Sequence, residues 1–494
     1  MSSGAPALVW FRDDLRVGDN PALTAAIGLG GPVLALYVLD ENSEGVRALG
    51  GASRWWLHQS LRSLAQSLEH LGIPLLLRRG AAEGVVSSVV EEMSAGAVFW
   101  NRRYGAAERA IDTGIKSTLS GRGLAVKSFA ASLLFEPFAV ATGAGEPYSV
   151  FTPFWRRCLS LPEPRLPLPV PPAIEKSVSD ALGTLPPSDD LHSWALEPTT
   201  PDWAGGLRAA WSPGEQGAES LLREFLSEKL GDYSEQRDVP AQQVTSRLSP
   251  ALRWGEISPF TVWHETVRAR AAAAAASGAS GPTAEAASAF LRELGWREFA
   301  AHVSYHAEDL ASINWRREFD AFAWPPLDEA ALEAWQRGLT GVPLVDAGMR
   351  ELWQTGTMHN RVRMVVASYL TKNLLIDWRI GEEWFWQTLV DADGASNPFN
   401  WQWVAGSGAD AAPYFRVFNP VLQQQKFDPH GEYVRRYVPE WGTDAYPEPL
   451  VDLGESRRAA LAAYERVKRS KSASASESKP HSTPEPTPES APGE

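Results

Sequence analysis

Sulfur chemistry is nearly missing from this 494-residue chain, which holds one cysteine, Cys158. A single thiol excludes a disulfide framework, a Cys-rich zinc site and a four-thiolate iron–sulfur cluster, and it fits a reducing cytoplasm. Long apolar runs are missing too. The alanine stretch "RARAAAAAASGASG" ends in Gly and Ser, so no segment reads as a bilayer span. The start, "MSSGAPALVWFRDDLR", lacks the basic-then-apolar pattern of a signal peptide. Positive charge is in deficit, with 46 basic residues against 60 acidic and a net charge of −14. That balance excludes a protein coated in non-specific nucleic-acid contacts and leaves room for a local basic patch. After Lys471 the chain carries one Lys and four Glu, so −3 of the total belongs to the tail. No G-x-G-x-x-G follows the first apolar run, and "GLGGP" has the wrong spacing, so an ordinary dinucleotide site is not expected there.

Tryptophan is what the chain has in excess, at 21 residues. Indoles favour places that need stacking or a polar edge. The stretch "DADGASNPFNWQWVAGSGADAAPYFR" sets Asp391 and Asp393, then Trp401 and Trp403, each pair two apart around a lone Asn397. It contains neither Cys nor His.

Residues 5–135 alternate short apolar runs ("ALVWF", "PVLALYVLD", "IPLLLRRG", "GAVFWNRRY") with an amphipathic segment, "SRWWLHQSLRSLAQSLEHLG". That rhythm predicts an α/β domain with a parallel, Rossmann-like sheet. Residues 136–215 turn Pro-rich and read as a linker wrapping over the surface. Residues 216–468 are helical in period throughout, with a helix–helix loop expected after the alanine run. Residues 469–494 are disordered by composition. No repeat of fixed period occurs.

Several polar groups fall on helical faces. In "AGMRELWQTGTMHNRVRMVVASYLTKNLLIDW", read as a helix over 347–378, Asn360, Arg363 and Met364 share one side. They form either a solvated stripe or a site. In "FLRELGWREF", Glu293, Trp296 and Arg297 are similarly spaced, as a surface ion pair or as a partly buried carboxylate near Phe290. "TSRLSP" is either a helix N-cap or a phosphate cradle. Asp391 and Asp393 lack a third ligand at useful spacing, so no metal site is expected.

The order of "LVWFRDDLRVGDNPAL", "TSRLSP", "LRELGWREF", "MHNRVRM", "LLIDW", "DADGASNPFNWQW", "DAAPYFRVFNP" and "KFDPHGEYVRRYVPE" resembles the photolyase/cryptochrome family from residue 8 to about 468. Within it, the chain is most similar to class I photolyases, which split cyclobutane pyrimidine dimers in DNA. The resemblance implies an α/β antenna domain, an all-α FAD-binding catalytic domain, UV-damaged DNA as partner, no membrane, and a monomer. It implies that Tyr233, Thr245, Ser246, Leu248 and Ser249 hold the FAD phosphates and ribityl chain. Phe290, Glu293, Arg297, Asn360, Arg363, Asp391, Asp393 and Asn397 would line the flavin, with Asn397 facing N5. Trp401, Trp378 and Trp324 match the family's electron relay, the last after a one-residue gap. Trp296 and Trp403 match the pair that grips the flipped-out dimer, with Glu293 bonding to it and Met364 packing against it. Met364 stands where a 6-4 photolyase would carry His, and His359 is expected to point away. Arg237, Arg361 and Arg416 correspond to phosphate contacts.

Some family features are altered. Ala107 replaces the Asn of a folate-binding Asn–Glu pair, leaving Glu108, and "AEDLASINW" lacks the folate-side Cys–Lys pair. A deazaflavin antenna, or none, is the remaining expectation. Phe290 stands where many relatives have Trp, and Thr357 where a Trp often precedes "MHN". The competing readings are a cryptochrome-like blue-light photoreceptor, with the tail as its signalling arm, and a helical flavoprotein without a light role.

Overall fold

The computed structural model describes residues 5–174, 183–277, 282–307, 309–411 and 415–477. The apolar runs of the first 135 residues become five strands, β1 (Ala7–Phe11), β2 (Val33–Leu39), β3 (Leu75–Arg79), β4 (Ala97–Asn101) and β5 (Ala125–Phe129). All pair in parallel in the order β3-β2-β1-β4-β5, with Val9 opposite Ala35 and Phe99. Both faces are covered. Val9, Phe11, Ala35 and Tyr37 pack on one side, and Leu8, Trp10, Leu36 and Trp100 on the other. Continuous burial along β1 and β2 explains why these strands read as unbroken apolar runs rather than alternating ones.

Beyond β5 every regular element among the described residues is helical. Residues 136–215 do more than wrap the surface. They hold the Phe151–Leu159 helix, and Trp194, Leu196, Leu207 and Trp211 are buried in the sheet-side core together with Trp254 and Val390. The prolines of that span punctuate it, but the aromatic and leucine residues between them anchor it. Arg16, 2% exposed, adds a polar pin by donating to the carbonyls of Gly255, Asp19 and Ala131 at 2.9, 2.9 and 3.1 Å.

The segment read as one helix over 347–378 is broken. The Pro343–Thr355 helix ends at Gly356 with φ +67°, and a new helix, Asn360–Ser368, runs into a π turn at Tyr369–Asn373. A Cβ on Gly356 would come within 2.6 and 2.7 Å of Val390 and Leu207, so tertiary packing requires both the glycine and the break. His359 caps the new helix, its Nδ1 accepting from Arg361 N at 3.2 Å. Burial pushes the imidazole down to about 4, which keeps that ring nitrogen free to accept. The expected loop at 278–281 and residues 478–494 of the tail lie outside the described residues. The start of the expected tail is helical, because the last helix runs Leu453–Glu477.

Candidate active site

Arg363, on the Asn360–Ser368 helix, is held at every donor that matters. Its Nε donates to Met358 O at 2.7 Å, and Nη2 reaches Thr357 Oγ1 at 3.1 Å and both Asp391 oxygens at 3.2 and 3.0 Å. Asp391 and Asp393 play different parts. Asp393 Oδ1 accepts from Ala395 N and Ser396 N at 3.0 and 2.6 Å, which organises the entry to the Ser396–Ala405 helix carrying Asn397, Trp401 and Trp403. No group of three potential metal ligands occurs among the described residues.

The hydroxyls of "TSRLSP" do not act as a helix N-cap. The Ser249–Trp254 helix starts after Leu248 with no side-chain cap, so neither Thr245 nor Ser249 is consumed in capping, and Ser246 Oγ accepts only a long bond from Leu248 N at 3.4 Å. Arg247 between them takes a left-handed φ of +55° and lies over Trp211 at 4.2 Å. Tyr233 and Phe290 meet edge to face at 5.6 Å in the core that also holds Leu248 and Ala251. Arg297, on the Pro282–His306 helix, donates to Ser132 O and Leu252 O at 2.8 and 3.3 Å.

These groups suit FAD. Hydroxyls with spare donors answer phosphates, a fixed guanidinium answers an anionic ring, and Asn360 is exposed with no partner among the described residues. Asn397, 8% exposed, donates twice through Nδ2, while no described donor reaches its Oδ1. An acceptor left open on a largely buried residue is what a ligand bearing an N–H would complete.

A second group forms the rim. Glu293 pairs with Arg237 at 2.6 Å, and Arg361 pairs with Asp238 at 2.7 Å while its Nη1 approaches Met364 Sδ at 3.9 Å. Arg361 and Lys426 flank the Phe427 ring at 4.7 and 4.9 Å. Trp296 stacks on Phe151 at 3.7 Å and 10°. Trp403 Nε1 donates to Asp410 O at 3.1 Å, and Asp410 N in turn donates to Ser149 O at 3.1 Å. The Ser149–Phe151 stretch therefore ties both indoles into one wall. Lys372, 2% exposed, donates to the carbonyl of Arg416 and lies over Phe415 at 4.3 Å, which fixes the base of the Arg416 segment. Phe151, Asp238, Lys372 and Lys426 were not singled out from the sequence, because each acts through a partner far along the chain.

The three relay candidates differ in depth. Trp401 and Trp378 are 2% and 1% exposed, and Trp324 is partly buried against Phe322 at 4.4 Å. Gly381, one turn after Trp378, lets the Trp401 ring approach, since a Cβ there would lie 2.2 Å from it. Trp378 Nε1 donates to Asn314 Oδ1 at 3.0 Å.

A cavity of about 830 Å³ opens where the sheet's carboxyl ends face the helices, and it shares Arg297 and Asp393 with the groups above. Arg12, Asp13, Asp40 and Arg103 line it from the strand ends, and Ala107, Glu108 and Asp309–Ser312 from the segments where folate ligands are altered. Burial raises the Asp13 carboxyl, but Arg253 and Arg103 beside it hold it below the ordinary range.

The chain matches two family profiles: "DNA photolyase" over residues 7–173 and "FAD binding domain of DNA photolyase" over 290–443. It is 48% identical to the deoxyribodipyrimidine photo-lyase of Agrobacterium fabrum, over 94% of this chain and 98% of that one. It is 40% identical to cryptochrome-1 of Arabidopsis thaliana, over 89% of this chain and 63% of that one. The crystal structure of a bacterial class III photolyase from Agrobacterium tumefaciens superposes with a TM-score of 0.88 at 47% identity, covering 95% of this chain and 99% of the other. That neighbour is a class III photolyase, whereas the motif order resembles class I, so the likeness carries the family and not the class. The α/β domain and the helical FAD-binding domain both have their counterparts there, and the chain belongs to the photolyase/cryptochrome family.

Proposed function

We propose that this chain is a light-driven carbon–carbon lyase that splits cyclobutane pyrimidine dimers in DNA. The observation that carries the reading is the rim. Glu293 pairs with Arg237 at 2.6 Å, and the next residue, Asp238, pairs at 2.7 Å with Arg361, whose Nη1 lies 3.9 Å from Met364 Sδ, so three segments meet there. The relatives named deoxyribodipyrimidine photo-lyase support the same chemistry.

FAD, when bound, supplies light absorption and one-electron chemistry. Thr245, Ser246 and Ser249 would answer its phosphates, and Arg363, oriented by Asp391, would compensate negative charge on the ring. Trp296 and Trp403 offer flat faces to a flipped-out dimer and recover the stacking it loses on leaving the duplex. Glu293 would bond to the dimer, and Arg237 holds that carboxylate in place until the dimer engages it. Arg237, Arg361 and Arg416 would hold the bent backbone, each guanidinium neutralising and hydrogen-bonding together. Trp401, Trp378 and Trp324 provide oxidisable indoles, the first two buried and Trp324 partly exposed. The domains extend over 5–135 and 216–468, with the span between them serving as a structural strap.

The likeness to cryptochrome-1 favours one second reading, a blue-light photoreceptor. Asn397 speaks for repair, since some plant relatives carry an acid there. Irradiated DNA incubated with the purified protein in light and in darkness separates the readings. Loss of dimers only in light supports the lyase. A flavin that bleaches in light while the dimers persist supports the photoreceptor.

A further inference from the structure

A carboxylate outside the dimer rim is built into the flavin side of the site. Glu382 lies on the Trp378–Thr388 helix with its side chain 3% exposed. Two nitrogens of Arg47, from the α/β domain, donate to its two oxygens, both at 2.9 Å. Arg47 also pairs with Glu383 and lies over the Trp386 ring at 4.2 Å. On the other side, Asn397 Nδ2 donates to Glu382 Oε1 at 2.8 Å and to the Glu382 main-chain carbonyl at 3.1 Å.

A side-chain amide has two ends of opposite hydrogen-bonding sense. Here both partners can only accept, provided that Glu382 is ionised. The NH2 group must therefore face them, and Oδ1 is turned into the site. Burial pushes the Glu382 carboxyl up, and the Arg47 guanidinium opposes that push. Without Arg47, a protonated Glu382 could donate to Oδ1, and the amide would be free to invert.

We propose that Arg47 and Glu382 are positioning residues that lock the Asn397 amide with its oxygen toward the flavin. The inference rests on the proposed function and on what the family resemblance implies, that Asn397 faces flavin N5. An acceptor at that position favours flavin forms that carry a proton on N5 and disfavours the oxidised form, whose N5 is itself an acceptor. One guanidinium of the α/β domain thereby sets the redox poise of the helical domain.

Redox titration of the flavin-loaded full chain tests this, with the flavin absorbance reporting cofactor content. Arg47→Met and the isosteric Glu382→Gln should each lower the equilibrium constant of the first reduction step about tenfold, equal to 59 mV for one electron. Asn397→Ala should shift it in the same direction, and Arg47→Lys should restore most of the loss. Combining Arg47→Met with Asn397→Ala should add nothing to Asn397→Ala alone. If Asn397→Ala shifts the potential while Arg47→Met and Glu382→Gln stay at the wild-type value, the lock is refuted and the placement of Asn397 survives. If Asn397→Ala is itself silent, the placement of Asn397 is what fails.

Discussion

Glu293 shares its carboxylate with Arg237 while 30% of its side chain remains open to solvent, so the pair is screened and holds little of the fold. Replacing it should therefore affect chemistry rather than stability. Glu293→Gln should reduce dimer repair by tenfold or more and leave FAD content unchanged, measured by absorbance and by counting dimers after illumination. Trp403→Ala should weaken binding of a dimer-containing oligonucleotide by about 1–3 kcal/mol. Unchanged affinity in an equilibrium titration would remove Trp403 from the wall. Glu293, Asn397 and Trp403 were legible because they sit in motifs whose order is specific. Arg47, Glu382 and Phe151 were not, for a physical reason. "IGEEWFW" reads as an ordinary solvated helix face until a guanidinium from the other domain turns one of its two acids into a buried group. Phe151 reads as a residue of a Pro-rich linker until Trp296 stacks on it.

Among the elements, close approach matters more than helix propensity. Alanine at Gly381 would improve the helix by roughly 1 kcal/mol on propensity alone. Its Cβ would, however, lie 2.2 Å from the Trp401 ring and 2.5 Å from Leu370, so Gly381→Ala should destabilise by about 1–3 kcal/mol in denaturant unfolding. Glu256 is the corresponding staple between domains, accepting from Trp56 Nε1 at 3.0 Å, Gly214 N at 2.7 Å and Ser60 Oγ. Burial pushes its carboxyl up to about 7 from an ordinary 4.5. The folded protein then binds more protons than the unfolded chain between those values. Stability from this group is complete below the lower value and is lost as pH rises through the upper one. Glu256→Gln should flatten that fall, worth on the order of 3 kcal/mol, in thermal unfolding at pH 5 to 8. An unaltered slope would assign it to other buried acids such as Glu298, also pushed up to about 7. The strand and helix classes were readable from apolar period. The break at Gly356 was not, because the packing of Val390 and Leu207 against it is a long-range fact.

The whole molecule carries a net charge of −14 yet gathers Arg237, Arg361 and Lys426 around one rim. Binding to damaged DNA should weaken as salt rises, and Arg361→Ala should reduce the slope of log affinity against log salt by about 1. The domains share a core in which Trp254 and Val390 from the helical side pack with Trp56 and Leu57 from the sheet side, so they are expected to unfold together. Repair itself is the sharpest test of the account. A duplex carrying a single thymine dimer, mixed with the purified protein bearing reduced flavin, should be restored to two thymines under near-ultraviolet or blue illumination and stay damaged in darkness. A flavin-loaded protein that leaves the dimer intact after illumination, or that removes it equally well in the dark, would contradict the account.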